Sequence, residues 1–466
     1  MRMGIAIHAL VLSALIGSAA LGQQQAAKAP KNSEAASPLA YPPVLPGGQE
    51  KATVNAADLL KPAMTLRAGV AVAKTPPAID LMYFPGQDYP GKPWSVWGDS
   101  VVAGGKYYAS IGDHLAVDRA TERSTGNCFV YEYDPATRTL RRLVDVMKLL
   151  NLPAGHYTPG KIHGRLDMGS DGWLYFSTHR GSTGATTDKN HYQGDWIIRT
   201  HPGTGKSEVI ACGPIPKHCI PSSVLDPQRL IFYGGTASGD KDAKDIGFFA
   251  YDVKAGKVLY SGLNGPARYM ILARSTGKVY YVPGTGSMIG PLMRYDPARP
   301  SEAPMQISAA LGLRSATQET ADGYVYTVSN GHKDAEAMLY RFNVKTEAVE
   351  TLGPASVGGQ AYITSIDADP TGRYLYYVPG AHGGSEKDGA PLVQFDTQSK
   401  TKKVIAFFYP YFKDQYDCTL RGTFSTAVDE KGETVYITWS NIRGGGRNPD
   451  SCVMTAVHIP ELERRP

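Results

Sequence analysis

Counting back nine residues from three turn glycines, Gly172, Gly277 and Gly323, lands on His163, Arg268 and Arg314. In three further copies of the same pattern His218, Tyr362 and Arg421 fall within a residue or two of that level. A second level, seven to ten residues past the turn, holds His114, His179, His332 and His382, with Asn441 and Arg443 in the last copy. Four of the eleven histidines thus share one level, the pattern expected of titratable groups converging on a cleft. Arg forks grip carboxylate or sulfate in pairs, Tyr rings stack on sugar faces, and neutral imidazole takes up a proton near pH 7. These parts suit β-elimination on a uronate-containing polysaccharide. That reaction needs a cation or donor on the carboxylate, a base for the C5 proton, and an acid at the leaving glycosidic oxygen. Hydrolysis would instead need two carboxylates facing each other across the bond, and neither level contains Asp or Glu.

The elements that must carry these residues repeat along the chain. Short aromatic strands follow a turn at Lys106-Tyr107-Tyr108, Trp173 to Phe176, Leu230 to Tyr233, Val279-Tyr280-Tyr281, Tyr324-Val325-Tyr326, Tyr374 to Tyr377 and Val435-Tyr436-Ile437. Each is followed by a strand that usually ends in an aromatic-Asp or aromatic-Asn turn, as at Tyr133-Asp134, Tyr251-Asp252, Tyr295-Asp296, Phe342-Asn343 and Phe395-Asp396. Such side chains hydrogen-bond their own turn backbone. Units of about 50 residues with four strands are the signature of a propeller. The chain therefore reads as all-β, a seven-bladed β-propeller of four-stranded antiparallel blades, over residues 61–466. The last blade lacks an outer strand, so a segment within Leu66 to Phe84 is expected to complete it and close the ring. In a propeller, loops at one end of the central channel carry function.

Composition agrees. With 466 residues, 51 Gly, 33 Pro, 28 Tyr and 42% apolar residues, the chain can bury a large core and favours strands and tight turns over helices. A net charge of +5 is too mild to imply nucleic acid but is compatible with an acidic polysaccharide partner. No phosphate-cradling Gly loop is found, so no nucleotide or other organic cofactor is expected. Residues 1–22 read as a secretory signal peptide, with Met1-Arg2-Met3 before the apolar run Ile5 to Ile16 and small residues before Gln23. The protein is therefore expected to be secreted or periplasmic, with no membrane span. Residues 23–60, rich in Ala, Gln, Lys and Pro, read as a disordered linker. An exported chain can form disulfides, but five Cys cannot all pair; Cys418 and Cys452 are candidates to bridge.

The segment Gly160-Lys161-Ile162-His163-Gly164, followed by Gly169 to His179, resembles the propeller-fold ulvan lyases, as does Ser110-Ile111-Gly112-Asp113-His114. The resemblance implies a secreted seven-bladed propeller that cleaves a sulfated rhamnose-uronate polymer by elimination. It further implies a site of two His, a Tyr and an Arg. His163 and His179 match the pair, one for proton transfer and one for substrate. Tyr233 is matched as the catalytic Tyr and Arg268 as the carboxylate neutraliser, with Tyr269, Tyr362, Arg314 and Arg421 as substitutes and His114 as a further substrate contact.

Members of that family can also carry a structural metal. His201 stands where other blades have the turn Asp, and Cys212, His218 and Cys219 follow, so these four could hold a structural zinc. A Cys212 to Cys219 disulfide is the alternative. Two other functions fit the same cationic face. One is a non-catalytic secreted propeller that binds acidic glycans or protein partners; the other is a lyase for a different uronate polymer.

Overall fold

The computed structural model describes residues 39–465 except 90, 116, 119, 121, 122, 240–245, 285–287, 333 and 334. The expected signal peptide, and the linker as far as residue 38, lie outside the described residues. The described chain forms seven sheets, each of four or five strands. Blades 1 to 7 follow chain order, and all seven aromatic strands predicted from sequence occupy the second position of their blade. They run Lys106–Gly112, Leu174–His179, Ile231–Ser238, Val279–Tyr281, Tyr324–Val328, Tyr374–Tyr377 and Thr434–Ile442. Among the described residues, no helix is long and apolar enough to cross a membrane.

Buried tyrosines explain why the second and third strands of the blades are aromatic. Tyr107, Tyr131, Tyr175, Tyr233, Tyr295 and Tyr377 are essentially inaccessible and fill the wedges of the ring. Buried phenols need a partner, and the backbone supplies it: Tyr131 donates to Pro85 O at 2.7 Å, Tyr295 to Pro300 O at 2.9 Å and Tyr377 to Ala355 O at 2.7 Å. The hairpin turns are tied as expected. The carboxylates of Asp134, Asp252, Asp296 and Asp396, and the Asn343 carbonyl, each accept a backbone N–H two or three residues on. Gly172, Gly277 and Gly323 take positive φ of 78°, 77° and 82° at the recurrent turn between the first two strands, which favours glycine there.

Closure is made by the N-terminal segment. Ala78–Tyr83 pairs antiparallel with the last strand, Ser451–His458, as the missing outer strand of blade 7. The sheet then gains a fifth strand, Lys51–Val54, paired with Ala78–Tyr83, whose alternate residues Ala52 and Val54 are buried. Leu45 and Leu59 are buried in the same cluster. The linker reading of 23–60 is therefore corrected for residues 39–60, which are folded onto the last blade.

Asp80 pins this closure. It is 1% exposed and accepts from Thr53 Oγ1 at 2.8 Å, from Arg138, and from His458 Nε2 at 3.4 Å. Burial pushes its carboxyl up, but hydrogen bonds from His458, Thr53 and Arg138 outweigh burial and hold it at about 2, against an ordinary 3.8. A depressed carboxylate contributes stability that is complete above its unfolded value and lost as pH falls toward its folded one. Stability of the native protein is thus expected to drop between pH about 4 and about 2. Asp80→Asn should cost about 2 kcal/mol at neutral pH in urea unfolding and abolish this part of the acid dependence.

Candidate functional site

Blade 2 supplies the centre of the site. Its innermost strand begins Lys161–Ile162 and pairs with the end of Leu174–His179, so that Lys161 lies directly opposite His179. Side chains two apart on a strand share a face, which puts His163 beside Lys161. The rings of His163 and His179 lie 5.1 Å apart. His163 donates through Nδ1 to Pro221 O at 2.8 Å and accepts at Nε2 from the Arg268 guanidinium, so both ring nitrogens are engaged. His179 donates through Nδ1 to Arg180 O at 2.7 Å, which leaves the lone pair on Nε2. Burial, with Arg268 and Lys161 for His163 and with Lys161 for His179, keeps both imidazoles neutral, well below their usual range.

Lys161 is a site residue that sequence reasoning missed. It is 7% exposed, sits over the Trp97 ring at 4.5 Å and donates to His114 Nε2 at 3.1 Å. Burial, then Arg268 and Arg180, lower its ammonium to about 7, and burial and Lys161 lower His114 to about 4. Trp97 was missed as well. It precedes the inner strand of blade 1 and touches His114, His163, His382 and Phe424 with ring centroids 4.9 to 6.1 Å away.

Blades 4 to 6 close the arc. Arg268 precedes the inner strand Ile271–Leu272, and burial and Arg314 bring its guanidinium down to about 9. Arg314, 2% exposed, donates through Nε to the Tyr362 hydroxyl at 2.8 Å and lies over the Tyr362 and Phe424 rings. His382 packs on Tyr362 at 4.6 Å, and burial and Arg314 lower it to about 4. The charges that most shift Lys161, His163, His179 and Arg268 are other cations, with no carboxylate among them. Below this layer the charges are paired. Tyr269 donates to Asp99 at 2.7 Å, Ser365 donates to Asp99 at 2.8 Å, and Arg165 pairs with Asp167 at 3.1 Å. Tyr269 is thus a floor residue whose proton is committed to Asp99.

The structure brings together His114, His163, His179, Arg268, Arg314, Tyr362 and His382, and moves other candidates out. Tyr233 is fully buried between blades 3 and 4; it donates to Gly277 O at 3.1 Å and packs against Phe248 and Tyr295. It is a core residue, and Tyr233→Phe is expected to cost about 1 kcal/mol in thermal unfolding while leaving activity unchanged. Arg421 sits at the rim, paired with Glu386 at 3.1 Å and donating to Arg447 O. His332 lies on an exposed turn. Asn441 donates to Ser451, and Arg443 is paired with Asp450 at 2.7 Å; both brace blade 7. Counting misplaced Arg421 and His218 for one reason. The inner strands of blades 3 and 7, His218–Asp226 and Thr419–Val428, are long and bulged, so Ser222 and Phe424 reach the level their neighbours were assigned.

The metal expectation finds no support. His201 Nδ1 accepts the Thr204 N–H at 3.3 Å, doing the turn-tying work of the Asp in other blades. Cys212 pairs with Trp196 at the opposite end of the same hairpin. His218 Nδ1 donates to Pro216 O, and the Cys219 thiol donates to Ala237 O. No group of three or more His, Cys, Asp or Glu placed to hold a metal occurs among the described residues, so these four do not fit a zinc ion. All five cysteines are free, so neither Cys212 with Cys219 nor Cys418 with Cys452 is bridged.

No protein-family model matches the sequence, and no curated protein matches it either. Solved structures are similar in fold. An oligogalacturonate lyase from Vibrio parahaemolyticus aligns over 86% of this chain and 99% of its own at 11% identity, with a TM-score of 0.52. An oligogalacturonate lyase in complex with manganese covers 85% and 100% at 11% identity, with a TM-score of 0.49. A chain of the mitotic checkpoint complex covers 82% and 94% at 10% identity, with a TM-score of 0.48. At such identities the likeness is one of fold.

Proposed function

We propose that this protein is a polysaccharide lyase that cleaves a uronate-containing acidic polysaccharide by β-elimination. One observation carries the reading: a neutral His179 with its Nε2 lone pair available stands in a wall of cations, Lys161, Arg268 and Arg314, that have no carboxylate partner among the described residues. Such a wall attracts a carboxylate, and the cation on that carboxylate makes the C5 proton acidic. Arg268, oriented by His163, takes the carboxylate. His179 Nε2 accepts the C5 proton, the electron pair forms the C4–C5 double bond, and the C4–O bond breaks. The leaving oxygen takes a proton from the Tyr362 hydroxyl, which accepts from Arg314 and keeps its own proton to give. The products are an unsaturated uronate end and a new hydroxyl end.

The local resemblance in blades 1 and 2 points to ulvan, and the Vibrio neighbour's name to oligogalacturonate. The test is therefore ultraviolet absorbance of the protein mixed separately with ulvan, polygalacturonate and a glycosaminoglycan. Elimination raises it through the conjugated double bond. No rise with any polymer, despite measurable binding, would leave a glycan-binding propeller. From residues 1–22 we propose that the activity is secreted or periplasmic.

A pH dependence follows from Lys161. Its positive charge is, after burial, the largest influence lowering the basicity of His179, and it is lost as pH rises through about 7. Measured kcat/KM is expected to rise across that range. Lys161→Met should flatten the profile.

A further inference from the structure

Each turnover of the proposed reaction leaves a proton on His179 Nε2, and His179 is only 8% exposed. Its neighbours differ in what they can accept. His163 has both ring nitrogens engaged, and a guanidinium such as that of Arg268 offers no lone pair. Lys161 stands directly opposite His179 in the strand pair, where side chains share a face with Cβ atoms about 5 Å apart. Burial, then Arg268 and Arg180, bring its ammonium down to about 7, so near neutral pH a share of the molecules carries the amine lone pair. Lys161 Nζ reaches on to His114 Nε2 at 3.1 Å. His114 is half-buried and stacks on the half-buried Trp94, with ring centroids 5.8 Å apart, so the three groups run from a buried base to a ring that meets solvent.

The backbone holds His114 in this place against its own preference. Its φ of 53° lies in the left-handed region that a non-glycine residue seldom takes. Three bonds fix the turn: His114 N–H donates to Gly160 O at 3.0 Å, Leu115 N–H to the Asp113 carboxylate at 2.9 Å, and Asp113 N–H to Asn127 O at 3.1 Å. Gly160 and Gly181, beside Lys161 and His179, let it press close, since a Cβ at either would collide with Leu115 O. A backbone outlier fixed by so many contacts points to a working part.

We propose that Lys161 and His114 form a relay that carries the proton from His179 to solvent. The His179 imidazolium gives its Nε2 proton to the Lys161 amine. The ammonium so formed gives another of its protons to His114 Nε2, and the His114 imidazolium releases one to water. All three groups return to their starting charge, and one proton per cleaved bond reaches solvent. The relay rests on the lyase reading for the proton it carries. Both residues are positioning residues that act through His179, resetting it after the bond is broken.

The experiment is rapid-mixing ultraviolet absorbance of the full protein with ulvan, polygalacturonate and a glycosaminoglycan in turn, comparing wild type with His114→Asn and Lys161→Met. Asn adopts the left-handed conformation readily, so His114→Asn keeps the turn and removes the proton carrier. Each variant should form one double bond per protein molecule in a fast burst and then turn over at least about tenfold more slowly than wild type, without a rise in KM. Added imidazole should restore the slow phase of His114→Asn and leave wild type unchanged, which a merely structural role would not produce. A loss confined to KM would make His114 a substrate contact. That result, an unchanged kcat in either variant, or a slower kcat without a burst would overturn the relay while the wild-type rise upholds the lyase reading. No rise from wild type with any polymer would remove the lyase reading and the relay with it.

Discussion

An Arg268→Met protein is expected to lose about 10²- to 10³-fold in kcat/KM for elimination, with its fold intact by circular dichroism. The size follows from removing a preorganised donor aimed at charge that develops in the transition state, within a site that excludes water. Arg268 is held by its bond to His163, with no acidic side chain among the described residues to neutralise it, and burial and Arg314 disfavour its charge. Substrate carboxylate is the group that would offset that effect. Arg268→Lys should recover only part of the loss, because an ammonium restores the charge but not the planar fork. The measurement is initial rate by absorbance over a range of substrate concentration. A loss confined to KM would mean that Arg268 binds substrate and transition state equally, contrary to the proposed role.

His179→Ala should be nearly as damaging, about 10²- to 10⁴-fold in kcat, the usual worth of a positioned general base. His163→Gln should be milder, since an amide can still accept from Arg268 while His163 itself has no free nitrogen to take a proton. The contrast between two histidines of one blade separates proton transfer from positioning. Equal losses at both, or activity retained in His179→Ala, would assign the proton to another group, with Lys161 across the strand pair the first to test.

The architecture was legible because the repeat advertises it. Aromatic second strands, turn glycines and turn carboxylates recur at matching intervals, and each has a structural duty that forces its residue type. The level of His163, Arg268, Arg314 and Tyr362 was legible for the same reason: equivalent places in equivalent blades converge on one axis. What failed did so where local irregularity or ordinary packing intervened. Bulges in the long inner strands of blades 3 and 7 displaced His218 and Arg421 from the count. Tyr233 looked like a site tyrosine, but a tyrosine in an aromatic strand here usually spans the wedge between blades. His201 looked like a ligand because an imidazole was not recognised as a turn acceptor. Lys161 was passed over because lysine ordinarily reads as surface, although its place two residues before His163 set it on the same face. Ala52 and Val54 gave the only alternation in a segment otherwise dominated by Ala, Gln and Pro.

The strand Ala78–Tyr83 meets Ser451–His458 across nearly the whole described chain. Groups that meet at the axis are drawn from Trp97 in the first blade to Phe424 in the seventh. During synthesis, therefore, a nascent chain holds His163 and His179 long before it holds their opposite wall, and the closing strand waits for a partner made last. Pairings so remote in sequence form late and slowly. The complete cluster at the axis arrives with the end of folding, as a property of the finished circle that no growing fragment shares.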